Sequence, residues 1–171
     1  MTTKLPAIAL VTVLASIAPV AAIDVPQTRQ EFVQAVADGR GATTVETLVV
    51  DQPLDRVYAV LEERAGACLD VEVRRTAHVG YVERSSSDYN PTVRLAGKGR
   101  AEFTLQVAHN PRGVGHTPPP GGLFMMAADL RSIDGHRTEV VFYRSTMGVK
   151  KLVASLKQWF AADPAPCPKL R

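Results

Sequence analysis

Hydrophobic and polar positions change period repeatedly along this chain, and each change predicts an element. Phe32, Val33 and Val36 form a narrow apolar stripe behind Thr28-Arg29-Gln30-Glu31, which has the spacing of a capping box. In that motif a hydroxyl and a carboxylate each satisfy a free backbone donor. A short helix is predicted to about Asp38, with Gly39 and Gly41 stopping it. Thr43 to Val50 is rich in β-branched residues and predicts a strand. Asp51-Gln52-Pro53 then opens a second helix, because proline is tolerated where a helix start has no bond for its missing donor. Leu54, Val57, Tyr58 and Leu61 share one face, Asp55, Arg56, Glu62 and Glu63 the other, and Gly66 is expected to end it.

From Leu69 the period becomes two. Leu69, Val71 and Val73 alternate with Asp70, Glu72 and Arg74, the pattern of an antiparallel strand with one wet face. Strands are expected at His78 to Arg84 and Thr92 to Gly97, separated by a polar turn from Ser85 to Pro91. Ala101, Phe103, Leu105 and Val107 alternate with Arg100, Glu102, Thr104 and Gln106 in the clearest strand of the chain. Pro and Gly keep Asn110 to Gly122 irregular. Leu123 to Ser132 and Arg137 to Thr146 then flank Asp134-Gly135, a tight hairpin turn. Val149, Leu152, Val153, Leu156 and Phe160 make one face of a final helix, whose other face carries Lys150, Lys151 and Lys157. No repeat or linker divides the chain, so residues 23–171 read as a single domain.

The first 22 residues read differently. One positive charge at Lys4, an apolar run from Leu5 to Val20, and Ala21-Ala22 make a secretory leader cleaved after Ala22. The run carries Pro6 and Pro19 and is short for a membrane span of about 20 residues, so no stable membrane insertion is expected after cleavage. With no cysteine at the cut, acylation of the new terminus is excluded. The expectation is bacterial export to the periplasm or beyond. Export also gives the two cysteines a meaning, since an oxidising compartment favours a Cys68–Cys167 bridge over two thiols. Such a loop of about 100 residues is worth up to about 4.7 kcal/mol in the chain-entropy model. Tetrahedral zinc needs paired ligand spacings that two isolated cysteines lack.

The net charge is +3, and Arg74, Arg75, Arg84, Arg94, Lys98 and Arg100 are interspersed with apolar and acidic residues. No basic stripe forms, so nucleic acid is not an expected partner.

The segment Val45 to Leu61, an apolar strand followed by Asp-Gln-Pro-Leu-Asp-Arg-Val-Tyr-Ala-Val-Leu, resembles the opening of the polyketide-cyclase and START-like lipid-transfer superfamily. The likeness runs from about Thr43 to Ala161. It implies an α+β helix-grip fold, in which a curved antiparallel sheet packs on a long C-terminal helix, here with an extra N-terminal helix. An apolar cavity would lie between sheet and helix, lined by Phe103, Leu105, Phe124, Met126, Phe142, Leu152, Leu156 and Trp159. The aromatic members read first as core, since large rings dominate buried area in any small domain, with cavity lining the sharper alternative. Met125 and Met126, on one strand, are expected on opposite faces.

Catalytic chemistry finds little support. His78, His109, His116 and His136 lack ligand spacing, and Ser85, Ser86 and Ser87 lack the strained elbow of a serine nucleophile. Glu102, Asp129 and His109 are the titratable residues to watch for convergence in a pocket. The glycines of 113–122 have no lysine or following helix with which to cradle phosphate, which leaves a connector or a gate over a pocket. Asn90-Pro91-Thr92 is barred from glycosylation by its proline. The functional expectation is an exported protein that binds an apolar or lipid-like small molecule, without cofactor, metal or assigned catalysis. The rival is an envelope structural or interaction protein with a filled core.

Overall fold

Thr28 opens the first helix as a cap: its Oγ1 accepts from the Glu31 amide at 3.2 Å, while the Glu31 carboxylate accepts from the Gln27 amide at 2.8 Å. The structure, a computed structural model, describes residues 25–79, 81–110, 117–145, 149–161 and 166–170, and within these no side chain of 76–84. The expected leader, and His116 with the first part of its loop, lie outside the described residues.

In chain order the elements are α1 (Arg29–Ala37), β1 (Thr43–Val50), α2 (Leu54–Leu69), β2 (Val71–Val79), β3 (Tyr81–Gly97), β4 (Arg100–Asn110), β5 (Leu123–Ser132), β6 (Thr138–Ser145) and α3 (Lys150–Trp159). The strands form one antiparallel sheet of order β1-β6-β5-β4-β3-β2. β2 to β6 follow one another as a meander, and β1 closes the far edge beside β6. Because β1 and β2 are opposite edges, α2 must cross the whole sheet. Its 16 residues reach about 24 Å at 1.5 Å each, and six strands spaced about 4.8 Å apart span about the same. That match explains why α2 does not stop at Gly66. It continues until Ala65, Cys68 and Leu69 are buried.

On the inner face, Ala101, Phe103, Leu105 and Val107 of β4 meet Ala128 and Leu130 of β5, Val140 and Phe142 of β6, and the apolar sides of α2 and α3. The outer face has a smaller cluster, in which Phe32 and Val36 of α1 cover Ala127, with Phe124 and Tyr143 beside them. Phe32 and Phe124 stack with ring centroids 5.6 Å apart. The sheet is thus covered on both faces.

The helix-grip expectation is overturned. Among the described residues the structure is mostly antiparallel sheet with three short helices, and α3 has 10 residues where a long terminal helix was expected. The apolar positions that suggested length include both ends of the element, since Val149 is its N-cap and Phe160 its C-cap. Beyond them Pro166 and Pro168 bar continuation, and Cys167 is bonded to Cys68. The longest described helix is α2, which shares the inner face with α3.

Two local expectations also change. The stretch from His78 to Arg84 is not one strand, because Val79 pairs with Tyr81 and the chain reverses there. Ser85 to Pro91 is not a turn but the middle of β3, with Ser85 to Tyr89 paired to β2 and Ser86 onward to β4. Pro91 is tolerated because β2 begins at Val71, opposite Tyr89. From Asn90 onward β3 has β4 on one side and no described strand on the other, so the missing N–H interrupts no second ladder.

Candidate functional site

Where α3, the carboxyl-terminal tail, the middle of β3 and the ends of β4 and β5 meet, the inner face opens into a cleft of 820 Å³. Three devices shape it. The first is a bulge. Leu105 pairs with Met126 and Gln106 with Phe124, so Met125 is the extra residue between them. The pleat is therefore broken at this point: Met126 joins the inner core, and Met125 also packs against that core and lines the cleft. The expected opposition of the two methionines is corrected by this single inserted residue.

The second device is the disulfide. Cys68, buried at the end of α2, is bonded to Cys167, which brings Pro166, Cys167, Pro168, Lys169 and Leu170 up as one wall. The third is the seat of α3. Lys157 Nζ donates to Glu46 Oε2 at 2.9 Å, and Arg144 Nε donates to Glu46 Oε1 at 2.7 Å. Gln52 Nε2 donates to the Phe160 carbonyl at 3.0 Å, and the Thr138 hydroxyl to the Gln52 carbonyl at 2.9 Å. The Lys157 hydrogen bond, opposed by burial and aided by Arg144, holds the Glu46 carboxyl below its ordinary range. Lys157 is thus a clamp and not part of a free lysine face.

The floor is apolar: Tyr89, Val107, Met125, Val149 and Leu152. Lys150, Lys151 and Lys169 stand around it with His109, Ser155 and Gln158, and none of the described lining residues is Asp or Glu. Among the described residues none of these lysines has an ion-pair partner. His109 Nδ1 lies 2.9 Å from the hydroxyl of its cross-strand neighbour Ser87. α3 begins at this cleft without a side-chain cap and without an acidic residue in its first turn.

Leu152 alone of the residues expected to line a cavity borders the cleft. Phe103, Leu105, Met126, Phe142, Leu156 and Trp159 lie in the packed inner core. Phe124 sits across the sheet against α1. Glu102 and Asp129 do come together, as cross-strand partners on the outer face, but His109 is seven positions along β4, about 23 Å from Glu102. Arg29 of α1 bridges the carboxylates, contacting Asp129 and lying 3.6 Å from Glu102, and it donates to the Ala128 carbonyl at 3.0 Å. Arg94 holds the other Glu102 oxygen at 2.6 Å. Burial first, then the Asp129 charge, raises the Tyr143 hydroxyl above its ordinary value. The group fastens α1 to the sheet; it does not open into the cleft. The described part of the loop expected to act as a gate is also fastened to the outer face, where Gln106 donates to the Pro120 and Gly122 carbonyls and Asn90 to Gly121.

Among the described residues no group of three or more His, Cys, Asp or Glu could hold a metal ion. No described helix is long and apolar enough to cross a membrane. The residues missed by sequence reasoning are Tyr89, Val107, Met125, Lys150, Lys151 and Lys169. Their signal was faint: a Met-Met pair, a Lys-Lys pair before an amphipathic run, and a tail located only through its cysteine. Fold and site together define a sheet covered by helices on both faces, with a polar-rimmed apolar cleft on its inner face. The chain matches no family model, no curated protein and no solved structure.

Proposed function

We propose that this is an exported protein that binds a small apolar or amphiphilic molecule in the cleft between α3, the tail and the sheet. The observation that carries the reading is the cleft itself, 820 Å³ with an apolar floor of Tyr89, Val107, Met125, Val149 and Leu152. Its size falls in the range of pockets that enclose small ligands, about 300–1,000 Å³. The Cys68–Cys167 disulfide supports a periplasmic or extracellular setting, because such bridges persist in oxidising compartments. The reading assigns holding, not chemistry, to the site.

A fluorescent apolar probe, titrated into the protein and read alongside native mass spectrometry, tests it. Ser155 lies part-exposed on α3 and borders the cleft, so Ser155→Trp fills the space from its rim while leaving the core alone. Probe affinity should fall by about tenfold or more, equivalent to about 1.4 kcal/mol, with the melting temperature nearly unchanged. If neither the native protein nor any probe combination shows binding, the filled-core interaction reading takes its place.

A further inference from the structure

The cleft is one-sided in charge as well as in polarity. Lys150 and Lys151 occupy the first turn of α3, where the helix already presents the positive end of its dipole. Lysines there are unfavourable for the helix alone, and Val149 supplies no side-chain cap to the free amides behind them. Lys169 adds a third ammonium from the opposite wall, and among the described residues no lining carboxylate offsets any of them. Below this rim lie the Tyr89 ring, Val107, Met125 and Leu152, a largely apolar surface that suits a hydrocarbon chain.

Resting on the binding reading above, we propose that the ligand is a single-chain amphiphile with an anionic head. Its chain lies along Tyr89, Val107, Met125 and Leu152, and its head sits among Lys150, Lys151 and Lys169. Charge complementarity selects the head, because an anion relieves the repulsion among three lysines that have no ion-pair partner among the described residues and meets the positive end of the α3 dipole at once. Concavity selects a single chain over a flat surface, because the floor lies between the tail and the strands. Carboxylate and phosphate heads share this chemistry.

Titration calorimetry on the full oxidised protein, with submicellar dodecanoate, dodecyl phosphate, dodecanol and dodecyltrimethylammonium, tests the assignment. Both anions should bind more tightly than the alcohol, and the cation least. The triple variant Lys150→Gln, Lys151→Gln, Lys169→Gln should weaken the anions by about tenfold and leave dodecanol unchanged. Lys98→Gln, at the β3–β4 turn and away from the cleft, should change nothing. Added salt should weaken the anions alone. Equal affinity for dodecanol and dodecanoate, or equal loss of both in the triple variant, overturns the anionic head while leaving the binding reading intact. Sedimentation with phosphatidylglycerol vesicles but no binding of any monomeric probe overturns both, in favour of a membrane surface.

Discussion

Cys68 at the end of α2 and Cys167 in the tail are disulfide-bonded, with Cα atoms 5.2 Å apart and a sequence separation of 99. The bond ties the helix that spans the sheet to the segment that walls the cleft, so stability and site geometry depend on one linkage.

Replacing both cysteines with alanine should therefore cost about 2–4 kcal/mol in urea unfolding and weaken probe binding in the cleft. Reduction of the native protein should reproduce both changes. Loss of stability with unaltered binding would show that the tail keeps its place without the bond.

The Glu46–Lys157–Arg144 triad should make stability acid-sensitive. Glu46 titrates below its ordinary value of 4.5 when folded, so its contribution is complete above that pH and is lost as pH falls through the folded value. Glu46→Gln should cost about 2 kcal/mol near neutrality, between surface and buried pairs, because it leaves the buried Arg144 without its carboxylate. Native and variant stabilities, followed by denaturant melts across pH, should converge in acid; parallel curves would contradict the assignment.

Gly122 and Gly135 offer a matched pair. Both have positive φ, +102° and +79°, but a Cβ at Gly122 would lie 2.2 Å from the Val107 carbonyl oxygen whereas none meets an atom within 4 Å at Gly135. Gly135→Ala should cost about 1 kcal/mol of backbone strain. Gly122→Ala must also move β4 and should exceed about 3 kcal/mol by thermal melting. Similar losses at the two sites would refute the close approach.

Arg29 carries the docking of α1. Arg29→Met should leave Asp129 without its ion-pair partner and cost about 1–2 kcal/mol, with faster amide exchange confined to α1. Exchange that quickens equally throughout the sheet would argue for a global role instead.

Much of the fold was legible in local pattern. Thr43 to Val50 and Leu123 to Ser132 form the expected strands, Thr28 and Glu31 cap α1, and Asp134 Oδ1 accepts from His136 and Arg137 in the turn beside Gly135. The errors came where a neighbour decided the outcome. Ser85 to Pro91 has every local mark of a turn, yet pairing to β2 and β4 makes it strand. Gly66 should end a helix, but the sheet beneath α2 is wide enough to keep burying its residues. The cleft was hidden for the same reason: one inserted residue at Met125 turns its side chain inward, and no periodicity announces a bulge.

By itself the sequence determined where the chain is regular, because caps, β-branched runs and alternation act between residues close along the chain. It also pointed to Cys68 and Cys167 as partners, and they are bonded. The tertiary structure alone decided that α3 is short, that Lys157 is a clamp while Lys150 and Lys151 face a cleft, and that Glu102 and Asp129 serve α1. Those outcomes depend on which strands lie side by side and on a covalent bond spanning 99 residues, distances over which hydrophobic period carries no information.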